Sequence, residues 1–179
     1  MSKRILLVTL FICAVALIGC ANAKPKPTRE AKELIFTKYE NAVLYDFQVP
    51  ERSPAPQSAG LRVSEYAETF LKKYNQKVHI FRRISREKEG MVGPTLIMEG
   101  EVTEYNPGSR AKQFWLGFGA GRASFAVHCK FIDAQTGEVI DEVDLRSIAG
   151  VTKVSTVEEA IYRVGGHIAK YIYRGKTTK

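Results

Sequence analysis

Two neighbouring strand patterns constrain the fold of this chain more than any other feature of the sequence. Residues 123–132 and 139–148 are typical of β-strands, and the first places apolar side chains at alternate positions from Phe125 to Phe131. The residues between them, DAQTG, have turn chemistry: Asp133 can accept hydrogen bonds from the turn backbone, and Gly137 can adopt a positive φ. This arrangement predicts an antiparallel hairpin.

Apolar periodicity before the hairpin predicts a helix and three more strands. Residues 61–74 place one apolar face at helical spacing, formed by Ala67, Phe70, Leu71 and Tyr74. The expected strands are 42–47, 78–81 and 96–103. The last of them alternates strictly, and Asn106-Pro107-Gly108 follows it as a turn.

A second helix is predicted after the hairpin. Ser155 and Glu158 form a capping box at its start, and Arg174-Gly175 marks its end. Its apolar positions are Val157, Ala160, Ile161, Val164, Ile168 and Ile172. The predicted fold class is therefore α+β: a mostly antiparallel sheet of about five strands with two helices packed on it, in the order β-α-β-β-β-β-α.

The amino-terminal segment has the features of an export signal. Lys3 and Arg4 precede an apolar run over residues 5–18, which is shorter than the ~20 residues that a spanning helix needs. An uncleaved membrane anchor therefore fits the run less well than a cleaved signal peptide. The chain is expected to be exported.

The stretch LIGCANAK allows two cleavages with different consequences. One lies before Cys20, at the end of Leu17-Ile18-Gly19; the other follows the small-x-small sequence Ala21-Asn22-Ala23. We favour the first, because cysteine is rare and Cys20 stands directly after the apolar run. This choice predicts a signal peptide over 1–19, a lipidated tether over 20–36, a single α+β domain over 37–175 and a tail over 176–179.

Residues 17–20 resemble the cleavage signal of bacterial lipoproteins. The resemblance implies a diacylglyceryl thioether on Cys20 and an acylated new amino terminus. In that family an aspartate after the cysteine commonly retains the protein in the inner membrane, whereas Ala21 follows Cys20 here. We therefore expect attachment to the outer membrane, with the domain facing the periplasm.

Charge and cysteine content limit the partners of the exported domain. Loss of Lys3 and Arg4 lowers the net charge from +8 to +6, which suits anionic lipid head groups, lipopolysaccharide or cell-wall polymer, or serves solubility alone. Nucleic acid is not an expected partner of an exported chain. Cys129 is then the one cysteine left in the domain, so no internal disulfide can form, and its place in the strand pattern predicts core packing rather than reactivity.

The sequence contains no recognisable catalytic or metal-binding pattern, so we predict a protein that is not an enzyme and needs no metal or cofactor. His79, His128 and His167 lack metal-ligand spacing, and His128 and Cys129 should point to opposite faces of one strand. Glu99 and Glu101 share the outward face of a strand, where solvation is more typical than acid–base chemistry. The glycines of residues 117–121 have neither the spacing nor the context of a nucleotide site.

The run EYNPGSRAKQFWLGFGAGRASFAVHCKFIDAQTGEVI, residues 104–140, resembles a family of bacterial lipoproteins classified as domain of unknown function 4410. Its Pro-Gly-Ser-Arg turn, Gly-x-Gly-x-Gly stretch and Asp-x-x-Thr-Gly hairpin recur there in that order. The resemblance implies a compact α/β domain in the cell envelope and no established activity.

Three functions remain open. The leading hypothesis is a binding or accessory module whose contact surface is Arg110, Lys112, Phe114, Trp115 and Phe118, since aromatics and arginine dominate interface energetics. The alternative for these aromatics is packing in the core. The second hypothesis is a structural subunit of a homo-oligomeric envelope assembly, suggested by sheet edges that could pair. A periplasmic hydrolase would require a pocket that gathers distant carboxylates.

The intact mass of the protein purified from membranes tests the cleavage prediction. We expect wild type to carry acyl chains on an amino terminus at Cys20, and the Cys20→Ala variant to lose that mass, because no other cysteine follows the Leu17-Ile18-Gly19 cleavage signal. An unmodified wild-type terminus at Lys24 would show instead that Ala21-Asn22-Ala23 is the cleavage site.

Overall fold

A computed structural model describes residues 34–109, 111–112, 121–150 and 156–177. The described residues form a sheet of five strands and two helices, in the predicted order β-α-β-β-β-β-α, so the α+β class is confirmed. The elements in chain order are β1 (Asn41–Leu44), α1 (Ser58–Val78), β2 (Arg83–Ser85), β3 (Thr95–Asn106), β4 (Ser124–Asp133), β5 (Val139–Ile148) and α2 (Val157–Lys176).

The sheet is mixed, with the strand order β2-β1-β3-β4-β5. The long strands β3, β4 and β5 pair antiparallel, as expected, whereas β1 runs parallel to both β2 and β3. Parallel neighbours require a crossover connection, and α1 provides one between β1 and β2. The parallel pairs involve only the two shortest strands and the start of β3.

The predicted β4–β5 hairpin is confirmed together with its turn chemistry. Asp133 Oδ1 accepts hydrogen bonds from Gln135 N at 2.9 Å and Thr136 N at 3.3 Å, and Gly137 has φ +74°. Asp133 Oδ2 accepts from Lys38 Nζ at 2.8 Å and Tyr39 Oη at 3.0 Å. Lys38 and these other donors hold the pKa of the Asp133 carboxyl well below its usual range.

The predicted strand over 78–81 is wrong. Helix α1 continues to Val78, and His79 ends it in the left-handed conformation at φ 47°. Asn75 then occupies both backbone groups of Phe81: its Oδ1 accepts from Phe81 N at 2.7 Å, and its Nδ2 donates to Phe81 O at 2.9 Å. With those groups satisfied by a side chain, pairing begins only at Arg83.

The cap of α2 differs from the predicted one. Ser155 lies outside the described residues, and Thr156 caps the helix with its Oγ1 accepting from Glu159 N at 3.3 Å. Glu158 instead accepts a hydrogen bond from Tyr66 Oη and forms an ion pair with Arg62, each at 2.5 Å. The carboxylate expected in the cap thus joins α2 to α1.

Both helices pack on one face of the sheet, where the described core residues extend from Phe36 to Ile172. Cys129 is fully buried there, which confirms the packing prediction, and burial raises the pKa of its thiol. The helices approach closely at Gly165, because a Cβ there would lie 2.5 Å from Tyr66 Cβ and 3.0 Å from Ala67 N. No helix within the described ranges is both long and apolar enough to cross a membrane.

Gly60 makes a second close approach, at the start of α1. A Cβ on this residue would lie 1.8 Å from the carbonyl oxygen of Phe47, which belongs to the backbone and cannot rotate away. By contrast, a Cβ on Gly166 of α2 would make an ordinary contact with the Phe70 ring at 3.4 Å. Neither glycine has the positive φ that would favour glycine for conformational reasons.

These two helical glycines form a matched pair for substitution by alanine. In a helix, alanine is favoured over glycine by about 1 kcal/mol. We expect Gly166→Ala to be neutral or stabilising by up to that amount, and Gly60→Ala to destabilise by about 2 kcal/mol, because the backbone must shift. Urea denaturation measures both free energies of unfolding. Equal stability of the two variants would contradict the close approach of Phe47 to α1.

Candidate functional site

The face of the sheet opposite the helices carries charged side chains in rows across β3, β4 and β5. In the first row Glu99 lies opposite Lys130, which lies opposite Glu142 on its other side. Opposite charges at directly paired positions stabilise a sheet by roughly 0.2–1 kcal/mol per pair. The first row is thus acidic at both ends and basic in the middle.

The second row, Glu101, His128 and Asp144, repeats the same order. His128 Nδ1 lies 2.8 Å from Asp144 Oδ1, and His128 Nε2 lies 3.7 Å from Glu142 Oε2. The side chain of Asp144 is 80 % exposed, so this is a solvated pair rather than a buried catalytic one. His128 faces outward while Cys129 is buried, which confirms that the two point to opposite faces.

The chain after β1 adds a wall to this charged face. Residues 45–48 run alongside β3, with Tyr45 N donating to Met98 O at 2.9 Å and Gln48 N donating to Gly100 O at 2.9 Å. Gly100 permits the approach, because a Cβ there would lie 2.0 Å from His128 O and 2.6 Å from the Phe47 ring.

We call the resulting cavity of about 540 Å³ the outer-face groove. Its lining comprises Tyr45, Asp46, Gln48, Glu99, Gly100, Glu101, His128, Lys130 and Glu142.

The outer-face groove brings together carboxylates that are distant in the sequence. Glu99, Glu101 and Glu142 lie there with Lys130 and His128 among them, and Asp46 forms an ion pair with Arg86. Such a lining can form ion pairs and hydrogen bonds with a cationic or hydroxyl-bearing partner. Within the described ranges, no group of three or more His, Cys, Asp or Glu side chains could hold a metal ion.

A second groove, of about 300 Å³, lies where β3 ends and β4 begins. It is lined by Asn106, Gly121, Arg122, Ser124, Arg146 and Ile148. Arg146 binds Glu104 with two hydrogen bonds, Nε to Oε2 at 2.7 Å and Nη2 to Oε1 at 2.9 Å. The Arg146 guanidinium lowers the pKa of the Glu104 carboxyl. We call this cavity the strand-end groove.

The predicted contact surface is only partly described. Lys112 is exposed, whereas Arg110, Phe114, Trp115 and Phe118 lie outside the described residues, as does Cys20. The two ends of this segment meet, because Ser109 N donates to Gly121 O at 2.7 Å. Gly121 also borders the strand-end groove, so the described ends of the segment lie beside that cavity.

Sequence reasoning placed Glu99 and Glu101 on an outward face but missed their neighbours Lys130, His128 and Glu142. The signal was present in the hairpin, since a turn fixed at Asp133 and Gly137 sets the β4–β5 register. The predicted strand over 42–47 covers most of the wall formed by residues 45–48, but no alternation of apolar residues indicates that this wall lies beside β3.

The family model described as Domain of unknown function (DUF4410) matches residues 46–152, which run from the groove wall through β5. The chain belongs to the DUF4410 family. No curated protein matches its sequence. The matched range contains the strand-end groove, the outer-face groove apart from Tyr45, and the whole predicted contact surface.

Solved structures share the fold of this DUF4410 protein at low identity. The PelC dodecamer from Paraburkholderia phytofirmans aligns with TM-score 0.56 and 11 % identity over 78 % of this chain and 91 % of that one. A variant of that PelC dodecamer gives TM-score 0.52 and 12 % identity over 76 % and 88 %. A minor lipoprotein from Acinetobacter baumannii gives TM-score 0.37 and 15 % identity over 75 % and 92 %. The PelC likeness establishes a shared fold.

Proposed function

We propose that this DUF4410 protein is a lipid-anchored, non-enzymatic protein of the cell envelope that binds another envelope component and holds it near the membrane. The observation that carries the proposal is the stretch Leu17-Ile18-Gly19-Cys20 at the end of the apolar run over 5–18. Lipid on Cys20 anchors the chain to the outer membrane, and the domain faces the periplasm.

A binding role fits the groups that the fold exposes better than catalysis does. The Cys129 thiol is buried, with a raised pKa that keeps it protonated, so it is not a nucleophile. The carboxylates of the outer-face groove, which a hydrolase would need, lie on an open sheet face among Lys130 and His128. This environment favours recognition of a charged partner over proton transfer.

The predicted contact surface, Arg110, Lys112, Phe114, Trp115 and Phe118, is the proposed site for the envelope partner. Its described member, Lys112, is exposed, and its ends join beside the strand-end groove, which is lined by Arg122, bonded to Ala149 O, and Arg146, bonded to Glu104. Arginine and aromatic side chains together are typical of binding hot spots.

Cross-linked pull-down from envelope fractions tests this site. We expect the paired substitution Arg110→Ala, Trp115→Ala to abolish most of the partner recovery, because truncating hot-spot residues costs about 2 kcal/mol or more. The matched control is Arg163→Ala, Tyr162→Ala, which removes an exposed arginine and aromatic from α2. Partner recovery equal for both variants would contradict the assignment of the contact surface.

A second candidate function is that of a subunit in a homo-oligomeric envelope assembly. The shared fold with the dodecameric PelC favours it. So do the two edges of the sheet: among the described residues β2 and β5 each pair with one strand only. A pair of different edges can join copies head to tail, and a head-to-tail contact closes into a ring if its rotation allows.

The two edges carry opposite charge. Arg82 and Arg83 are exposed at the β2 edge, whereas Glu142 and Asp144 are exposed on β5. Residues 82–86 contain three arginines and no carboxylate, and residues 138–144 contain four carboxylates and no basic residue. Complementary charge would orient successive copies and suppress edge contacts between like strands.

Charge reversal at each edge tests the head-to-tail arrangement. We expect Arg82→Glu, Arg83→Glu and, separately, Glu142→Lys, Asp144→Lys to remain monomeric, because each variant then repels copies of itself. An equimolar mixture should assemble, because every contact in it again joins opposite charges. Multi-angle light scattering measures the mass of each sample.

The light-scattering results test two things separately: whether the protein forms an oligomer, and whether its copies join through the sheet edges. A wild-type protein that stays monomeric at all concentrations would contradict the oligomer. If the wild type is oligomeric but the mixed variants fail to assemble, the oligomer is supported and the contact through the sheet edges is contradicted.

A further inference from the structure

Basic residues are concentrated in two segments that contain no carboxylate. Residues 69–86, which include the end of α1, carry six basic residues and no Asp or Glu. Residues 160–176, which include most of α2, carry four basic residues and again no Asp or Glu. Cations near a helix carboxyl terminus favour the helix dipole, but this effect is confined to the last turn.

The two helices run in the same direction, which brings these segments together. Near the middle of α1, Tyr66 contacts Tyr162 of α2 with ring centroids 5.2 Å apart. Two turns later, Tyr74 stacks on Tyr173 at 4.7 Å. The carboxyl-terminal halves of both helices therefore lie side by side at one end of the domain.

We call this region the basic end and define it by the exposed side chains Lys73, Lys77, Lys170 and Arg174 with the half-buried Tyr74–Tyr173 pair. Clusters of Lys and Arg attract anionic lipid surfaces, and tyrosine is enriched where protein meets lipid head groups.

The chain enters the described domain at the same end. Phe36 N donates to Gly175 O at 2.9 Å, and the Lys176 ammonium hydrogen-bonds Tyr39 O. Thirteen residues lie between Cys20 and Leu34, so fourteen Cα–Cα steps join them. Even a fully extended chain of that length spans at most about 50 Å. The connection to Cys20 thus begins beside the basic residues.

We infer that the basic end docks on the anionic surface of the membrane that holds the lipid anchor. The orientation rests on the proposed attachment at Cys20, whereas the affinity of the basic end for anionic lipid does not. The outward carboxylates Glu99, Glu101 and Asp144 oppose contact of the sheet face with the same surface, so the charge distribution favours the basic end over that face, although the exposed Glu40 lies near Lys176.

Vesicle co-sedimentation tests the affinity with a chain that begins at Ala21 and carries no lipid. Every described core residue lies between Phe36 and Ile172, so this chain retains the core, and circular dichroism checks its folding. We expect binding to phosphatidylglycerol vesicles that weakens as salt is raised, and no binding to phosphatidylcholine vesicles. The paired substitution Lys77→Gln, Arg174→Gln should weaken binding about thirtyfold.

The control is Arg52→Gln, Arg163→Gln, which removes the same charge from two exposed residues, one that precedes α1 and one in the amino-terminal half of α2. It should lower binding far less. Equal losses in the two double variants, equal binding to both lipids, or no binding to phosphatidylglycerol would overturn the inference. Because the tested chain carries no lipid, none of these results depends on whether Cys20 is modified.

Discussion

The contact between the helix pair and one face of the sheet determines what the other face can be. Phe125, Val127, Cys129 and Phe131 alternate along β4, and all are buried under the helices. Because successive side chains on a strand point to opposite faces, the residues between them must face away from this core. His128 and Lys130 do so, and they become the centres of two charged rows. The polar groove is thus a geometric consequence of one-sided burial.

Charge is segregated on this scaffold in a way that composition alone does not reveal. The net charge of +8 gives no hint that the outward face of β3 and β5 is acidic. That face presents Glu99, Glu101, Glu142 and Asp144, while the ends of the helices present lysine and arginine without a carboxylate between them. Partners of opposite charge can therefore bind one molecule on separate surfaces.

The parts predictable from sequence are those that a local period or turn encodes. The β4–β5 hairpin and the buried faces of both helices belong to this class. The apolar run over 42–47 predicts β1 itself but not its parallel pairing, because all four residues of the strand are buried and no alternation shows its neighbours. The strand predicted over 78–81 does not form, because the side chain of Asn75, rather than a neighbouring strand, hydrogen-bonds the backbone of Phe81. The basic end depends on the parallel direction of the helices, which helical periodicity does not specify.

The proposed anchor and the basic end together determine how far the proposed contact surface lies from the membrane. Strand β3 begins at Thr95, in register with the first residues of β1, where the chain enters the domain. It extends for 12 residues to Asn106, about 40 Å at 3.4 Å per residue. Lys112 and the joined ends Ser109 and Gly121 follow that far end. With the basic end on the lipid, Lys112 stands away from the membrane, where the proposed partner can reach it.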